Sequence, residues 1–155
     1  MRPQLKQLIG KRVHFIGIGG AGMSGLARIA LSHGITVSGS DAKDSSVVIA
    51  LSALGATVST SHAAAHVDGS DVVVYSNAIS QSNPERVRAQ ELNIPTLTRA
   101  AALAMLMSES KSVAVAGTHG KTTTSSMLAV ALQACAADPS FAIGGTITAS
   151  GSNAH

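Results

Sequence analysis

Two glycine-rich stretches in this sequence contain the residue types that bind phosphate. The first, residues 17–22, reads GIGGAG, and the second, residues 117–122, reads GTHGKT. Each follows a short apolar stretch and precedes a segment with the periodicity of a helix. Glycines let the main chain approach a phosphate closely, and the N–H groups at a helix N-terminus attract its negative charge. The sequence therefore predicts two sites for phosphorylated ligands.

The first loop has the pattern of a dinucleotide-binding turn. Gly17, Gly19 and Gly22 match G-x-G-x-x-G between a predicted strand and a predicted helix. Asp41 follows about 20 residues later, at the end of the next strand, where a carboxylate accepts a hydrogen bond from a ribose hydroxyl. A glycine-rich turn that binds nothing is the weaker interpretation, because strand, helix and acid are all in place. NAD, FAD and UDP-sugars all carry a pyrophosphate and a ribose, so the motif alone leaves the ligand open.

The second loop predicts a site for a nucleoside triphosphate. Lys121 is expected to reach the β and γ phosphate oxygens, and the Thr122 hydroxyl to ligate Mg²⁺. The strict pattern G-x-x-x-x-G-K-[ST] is not met, because Val115 stands where its first glycine belongs. His119 either contacts a phosphate or a substrate carboxylate, or only stabilises the loop.

Strands and helices alternate along most of the chain. Short apolar runs predict strands, and helical periodicity with capping residues predicts helices. Strands are predicted at 12–18, 35–39, 56–59 and 71–75, with an extended segment at 94–97, and helices at 21–33, 45–54, 84–92 and 99–107. This alternation predicts an α/β fold with a Rossmann-like, doubly wound parallel sheet.

A second structural unit is predicted after the polar residues that follow residue 107. It consists of a strand at 113–116, the second loop, and a helix at 120–135. We therefore place a domain boundary near Ser108, with residues 1–108 forming the Rossmann-like domain. Residues 109–155 would form the start of a P-loop-type ATPase domain.

Composition restricts the classes of partner. Hydrophobic residues make up 45% and charged residues 12% of the chain, which favours a buried aliphatic core. Phe15, Tyr75 and Phe141 are the only aromatic residues of the Phe, Tyr and Trp types, too few to stack bases, and the net charge of +3 is not concentrated in a basic run. We therefore expect small anionic ligands and no nucleic-acid partner.

Two further expectations concern location and thiol chemistry. No apolar helix pattern is long enough to cross a bilayer, so we expect a cytoplasmic protein with no membrane partner. Cys135 is the only cysteine and has no partner for an internal disulfide. Because it falls in an apolar helical pattern, a buried and inert thiol is expected.

Several runs of the sequence together resemble the Mur ligases of peptidoglycan synthesis. These runs are GIGGAGMSGLA (17–27), SGSD (38–41), GTHGKTTT (117–124), DPSFAIGG (138–145) and GSNAH (151–155). Within the family, the resemblance is nearest to the ligase that adds L-alanine to UDP-N-acetylmuramate. It implies a Rossmann-like domain that binds the UDP part of the substrate, followed by an ATP-binding domain and a C-terminal domain. The chain would then be the N-terminal part of such an enzyme, able to bind substrate but unable to turn over ATP alone.

The resemblance also implies which residues contact each ligand. Those around the UDP diphosphate would be Gly17, Gly19, Gly20, Ala21, Gly22 and Met23. The uridine end would approach Asp41 and His62, and the substrate would also approach Ser76, Asn77 and Ala78. The ATP phosphates would lie against Gly117, Thr118, His119, Gly120, Lys121, Thr122 and Thr123. His119 would face the muramoyl side, with Lys121 and His119 as catalytic residues.

The implied reaction needs ATP and Mg²⁺. The carboxylate of UDP-N-acetylmuramate attacks the γ-phosphate to give an acyl phosphate, and the amine of L-alanine then displaces phosphate. One departure from the family is Ala101, which replaces an acid often found in that helix. His62 and His66 have a spacing that suggests a metal pair, but no third ligand is evident.

Other functions stay open on sequence alone. They are an NAD-dependent oxidoreductase, a UDP-sugar-binding regulatory module, and the related ligase that recycles murein peptides. The apolar residues of the second unit also lead us to expect self-association of the chain.

Overall fold

Five parallel strands form the central sheet. In a computed structural model, which describes residues 5–108, 110–148 and 151–155, their order is β3-β2-β1-β4-β5. The strands are β1 (Arg12–Ile16), β2 (Thr36–Ser40), β3 (Thr57–Ser59), β4 (Val72–Tyr75) and β5 (Thr96–Thr98). β1 pairs with both β2 and β4, so the strand order reverses there. This confirms the predicted Rossmann-like α/β fold. In folds of this kind ligands bind beside such a reversal of strand order, which here lies at the carboxyl ends of β1 and β4.

Helices connect the strands and cover both faces of the sheet. They are α1 (Ala21–Ser32), α2 (Ser46–Ala53), α3 (Pro84–Glu91) and α4 (Arg99–Met107). Short 3₁₀ helices occur at Leu5–Leu8 and Ala64–Val67. Side chains cap three of the helices, since Ser45, Asn83 and Thr98 each accept a main-chain N–H of the first turn. These caps explain why the predicted helix starts agree closely with the structure.

The sheet separates two apolar clusters. The larger contains Phe15, Leu26, Val37 and Leu51 and lies with α1, α2 and α4. The smaller contains Ile16, Val67, Val73 and Ala89 and lies with α3 and the 3₁₀ helix Ala64–Val67. Alternate residues of β1 therefore point to opposite clusters, as a strand buried on both faces requires.

A second small sheet follows α5 (Lys121–Ala134). It is an antiparallel hairpin of β6 (Ala142–Ile147) and β7 (Ser152–Ala154). One part of the hairpin packs on α5 through Phe141, Ile143, Ile147 and Ala129. Another part packs on α1, where Gly25 leaves room for it: a Cβ there would be 3.4 Å from the Ala154 Cβ. The hairpin thus connects α5 to the Rossmann-like unit.

Two predictions about this second unit are wrong, and one of its elements was missed. Residues 113–116 do not form a strand, because no strand among the described residues pairs with them, and Val113 is 71% exposed. Cys135 is exposed rather than buried, since α5 is covered by the hairpin around Ala129 only. The hairpin at 142–154 was not predicted at all, because its glycine-rich sequence has little strand propensity.

Two remaining observations concern the predicted boundary and membrane partners. Glu109, at the predicted domain boundary, lies outside the described residues. Among the described residues, no helix has both the length and the apolar character needed to cross a bilayer.

Candidate phosphate-binding sites and a buried carboxylate

The first loop turns directly from β1 into α1. Gly17 has φ 78°, a left-handed conformation that favours glycine, and its N–H donates to the Ser40 carbonyl at 2.8 Å. Ile18 donates to the same carbonyl at 3.0 Å, and the Gly20 N–H donates to the Gly17 carbonyl at 3.2 Å. The end of β2 therefore holds the start of the loop in place.

Two main-chain N–H groups of the loop, those of Ala21 and Gly22, have no hydrogen-bond acceptor among the described residues. They belong to the first turn of α1, and Gly20, at the N-cap, contributes no side chain to cap it. Free N–H groups at a helix N-terminus attract anions, so the loop is suited to a diphosphate.

Arg99, which was not among the predicted site residues, brings a positive charge to this turn. A Cβ on Gly22 would lie 2.7 Å from Arg99 Nη1 and 3.0 Å from its Cδ, so the side chain lies against the loop. Within the described part of the chain, Arg99 has no hydrogen bond or ion pair. Arg99 could not be predicted as a site residue from sequence, because it lies next to the loop only once β5 has paired in the sheet.

Asp41 and Met23 contact the loop in different ways. Asp41 Oδ2 accepts the Gly19 N–H at 2.8 Å, so the acid lies directly beside the glycines. Met23 is 1% exposed and its N–H donates to the Gly20 carbonyl at 2.9 Å, so this residue packs beneath the loop. The structure therefore brings together the predicted loop residues and the predicted acid.

The segment that follows β4 lies beside the same loop. Ser76 begins a turn in which its carbonyl accepts the Ile79 N–H at 2.9 Å. A Cβ on Gly17 would be 3.4 Å from the Ile79 side chain, which brings residues 76–79 next to the first loop. Arg86 donates to the Ile79 carbonyl at 2.8 Å and stacks 4.1 Å above the Tyr75 ring, and so fixes this segment.

A buried carboxylate lies behind the carboxyl end of β2. Glu85 is completely buried, and its Oε2 accepts from the Ser40 hydroxyl at 2.6 Å and from His62 Nδ1 at 2.9 Å. Its Oε1 accepts from His66 Nδ1 at 2.8 Å, while His14 Nε2 lies 3.6 Å away. The two histidines that suggested a metal pair thus share a carboxylate, and no cluster of metal-ligating side chains is found among the described residues.

These contacts determine the ionisation of Glu85. Burial is the largest single effect and by itself raises the pKa. The N–H groups of His14, His62 and His66 and the Ser40 hydroxyl together outweigh burial and lower the pKa from 4.5 to about 2. Glu85 is therefore ionised at neutral pH although it is buried.

The second loop leads into α5 with the features of an anion site. Gly120 has φ 82°, and the main-chain N–H groups of residues 118–123 have no acceptor among the described residues. Lys121 Nζ donates to the carbonyls of Gly117 and Thr118, which keeps its positive charge at the loop. His119 is exposed, and Thr122 is exposed at the first turn of the helix.

The hairpin contacts the helices that follow both loops. On β7, Asn153 Nδ2 donates to the Ala21 carbonyl at 2.9 Å and to Ser24 Oγ at 3.3 Å, in the first turn of α1. On β6, a Cβ on Gly145 would be 3.1 Å from Thr122 Cγ2, in the first turn of α5. The first turns of α1 and α5 are thus both in contact with one two-stranded element.

Comparison with known proteins identifies the family to which this fold belongs. The Mur ligase family, catalytic domain, matches residues 12–111. The match covers well over half of the chain and includes the five-stranded sheet. The chain belongs to the Mur ligase family.

Two curated relatives are similar to nearly the whole of this chain. The UDP-N-acetylmuramate–L-alanine ligase of Saccharopolyspora erythraea is 57% identical over 149 residues, which are 94% of this chain and 30% of the relative. The enzyme of the same name from Streptomyces coelicolor is 60% identical over 145 residues, 92% of this chain and 31% of the relative. The chain thus spans about 30% of the length of these curated relatives.

Solved structures of two kinds of ligase share the fold. The UDP-N-acetylmuramate–alanine ligase of Thermotoga maritima superposes with a TM-score of 0.87 at 34% identity, covering 94% of this chain and 34% of that one. A murein peptide ligase from Psychrobacter arcticus gives a TM-score of 0.85 at 31% identity, covering 94% and 33%. The fold alone therefore does not separate alanine ligation from peptide ligation.

Proposed function

We propose that this chain binds UDP-N-acetylmuramate through its first loop and belongs to an ATP-dependent ligase that joins L-alanine to this substrate in the cytoplasm. The observation that carries the proposal is the first turn of α1, where two free N–H groups, the Asp41 carboxylate and the Arg99 guanidinium surround one loop. The curated relatives at 57–60% identity are named for this reaction, which favours L-alanine over a murein peptide as the joined group.

Each part of the loop has a role in this proposal. The N–H groups of Ala21 and Gly22 and the Arg99 side chain bind the diphosphate. Asp41 and His62 lie at the nucleoside end, and residues 76–78 line the crevice at the end of β4. In domain terms, residues 1–108 form the substrate-binding domain and residues 109–155 belong to the ATP-binding domain.

The second loop suits the phosphates of ATP. Its unused N–H groups and Lys121 bind negatively charged oxygens, and the Thr122 hydroxyl is the ligand that this part of the chain offers to Mg²⁺. When bound, Mg²⁺ neutralises phosphate charge. Lys121 is displaced from the loop carbonyls to reach a phosphate, and exposed His119 is free to turn toward the substrate carboxylate.

In the proposed reaction, that carboxylate attacks the γ-phosphorus, which forms an acyl phosphate and releases ADP. The amine nitrogen of L-alanine then forms a bond to the carbonyl carbon, and inorganic phosphate leaves. Positioning and charge neutralisation supply most of the rate enhancement in such phosphoryl transfers. The contact between the hairpin and both first turns supports a shared site for the two ligands.

A pair of variants tests the first loop without disturbing the fold. Gly20 has φ −62° at the N-cap, and a Cβ there meets nothing closer than 3.4 Å. Asp and Asn are both favourable N-caps, so Gly20→Asp and Gly20→Asn are expected to fold equally well. Only Gly20→Asp adds a negative charge at the diphosphate.

Calorimetric titration with UDP-N-acetylmuramate measures the effect. We expect Gly20→Asp to lose at least about tenfold more affinity than Gly20→Asn, corresponding to about 1.4 kcal/mol. Equal affinities of the two variants would contradict binding of a diphosphate at this turn.

A second pair tests the ATP loop separately. Lys121→Met removes the loop cation, whereas Lys111→Met removes an exposed lysine before the loop. We expect only Lys121→Met to weaken the binding of ATP, measured by fluorescence of a labelled ATP analogue. Equal effects of both changes would argue against a role for Lys121.

A further inference from the structure

Five polar side chains, including the buried carboxylate of Glu85, form one cluster. It joins β1, β2, α3 and the segment before β4 through His14, Ser40, His62, His66 and Glu85. A buried charge costs free energy even when it is paired, and apolar residues of similar volume often stabilise a core at least as well. Two ring nitrogens of the cluster, Nε2 of His62 and Nε2 of His66, have no hydrogen bond within the described residues.

The hydrogen bonds define the protonation of each ring nitrogen that faces Glu85. An ionised carboxylate only accepts, so Nδ1 of His62 and Nδ1 of His66 must each carry a proton. In the neutral imidazole, Nε2 of both rings is then a hydrogen-bond acceptor. Their side chains are 20% and 24% exposed, whereas Glu85 itself has no exposure.

His14 differs from these two histidines. Its Nδ1 lies 3.0 Å from Ser38 Oγ, which also accepts from Arg12 Nε at 3.2 Å. Because the Glu85 carboxylate, which only accepts, faces His14 Nε2 at 3.6 Å, a neutral His14 carries its proton on Nε2 and the Ser38 hydroxyl donates to Nδ1. His14 is 1% exposed and belongs to the interior of the cluster.

His62 lies beside the carboxyl end of β2, next to the first loop. Its Nδ1 is 2.9 Å from Ser40 Oγ, and the Ser40 carbonyl holds the N–H groups of Gly17 and Ile18. The next residue, Asp41, contacts Gly19. In folds of this type the nucleoside lies at the end of the second strand, where Ser40 and Asp41 are found.

We propose that Glu85 is a positioning residue that fixes His62 in the Nδ1–H tautomer, so that Nε2 accepts a hydrogen bond from an N–H or hydroxyl group of the nucleoside bound at the first loop. The proposal rests on the proposed function of that loop. Ser40 connects the two, because its side chain bonds to Glu85 and its carbonyl bonds to the loop. The pair thereby selects for a nucleoside diphosphate over a bare diphosphate.

Comparison of two probes tests this selectivity. UDP contains the nucleoside and the diphosphate, whereas inorganic pyrophosphate contains only the latter. We expect His62→Ala to weaken UDP binding about 3- to 10-fold, the range for one lost hydrogen bond, and to leave pyrophosphate binding unchanged. Glu85→Gln should act in the same direction, and the double variant should be no weaker than His62→Ala alone.

A tautomer measurement separates positioning from a purely structural role. ¹⁵N NMR of the histidine rings should show a protonated Nδ1 and an unprotonated Nε2 for His62 in the wild type, and a loss of this preference in Glu85→Gln. Glu91→Gln is the matched control, because Glu91 lies on the same helix and is 59% exposed. It should change neither the tautomer nor the ratio of UDP to pyrophosphate affinity.

The outcomes distinguish this proposal from the function on which it rests. If the wild type binds UDP but His62→Ala binds it equally well, or if His62 carries its proton on Nε2, the positioning role is wrong and the substrate site stands. If the folded wild type binds neither UDP nor pyrophosphate, the proposed function itself fails. Should Glu85→Gln not fold, the affinities of His62→Ala and the wild-type tautomer still decide.

Discussion

Replacement of Glu85 by glutamine should make the protein less stable at neutral pH, and this loss of stability should shrink in acid. Glutamine has a similar volume but no charge, so it loses the charge-assisted hydrogen bonds to His62, His66 and Ser40. The pKa of Glu85 is lowered from 4.5 to about 2 by these contacts. At 1.36 kcal/mol for each pKa unit, the ionised carboxylate contributes about 3 kcal/mol to the free energy of unfolding.

The sign of the pH dependence follows from the lowered pKa. The contribution is complete well above pH 4.5, where the carboxylate is ionised in both the folded and the unfolded chain. It is lost as the pH falls toward 2, because the unfolded chain takes up the proton first. The stability difference between the wild type and Glu85→Gln should therefore be about 3 kcal/mol at pH 7 and about 2 kcal/mol smaller at pH 3.

Urea unfolding followed by circular dichroism at pH 7, 5, 4 and 3 measures this difference. Glu91→Gln is the control, and its exposed carboxylate should give a difference near zero at every pH. Two results would refute the reasoning: a stability difference that does not change with pH, or a Glu85→Gln variant as stable as the wild type at pH 7.

Other substitutions test separate parts of the structure. Gly39→Ala should lower the free energy of unfolding by about 1–3 kcal/mol, because its Cβ would lie 2.7 Å from the Phe15 carbonyl oxygen. A thermal midpoint equal to that of the wild type would show that β1 and β2 can move apart without cost. Arg99→Ala should weaken pyrophosphate binding without changing the thermal midpoint, and unchanged affinity by calorimetry would remove Arg99 from the site. Asn153→Ala should speed amide hydrogen exchange at the first turn of α1, whereas unaltered exchange would mean that the hairpin does not hold that turn.

The Rossmann-like unit could be predicted from sequence because local signals agree there. The predicted helix starts at 45, 84 and 99 lie next to residues that the structure shows as side-chain caps, namely Ser45, Asn83 and Thr98. Apolar runs mark strands that are buried on both faces. The first loop and Asp41 could also be predicted, because the spacing between the glycines and the acid is itself typical of a dinucleotide-binding turn.

The remaining features depend on contacts between residues distant in sequence. The interaction of Glu85 with His62 and His66 links α3 to the segment before β4, and no local pattern indicates it. The position of Arg99 beside Gly22 requires the whole sheet to be in place. The segment 113–116 has the composition of a strand but no neighbouring strand among the described residues, so composition alone gave a wrong prediction.

The central claim is that the first loop binds a UDP-sugar rather than a nicotinamide dinucleotide. Calorimetric titration of the chain with UDP-N-acetylmuramate, repeated in the presence of excess NAD, tests it most directly. We expect one ligand to bind per chain, with an affinity that excess NAD leaves unchanged and excess UDP lowers by competition. Binding of NAD in preference to UDP-N-acetylmuramate, or no binding of the UDP-sugar by folded protein, would contradict the claim.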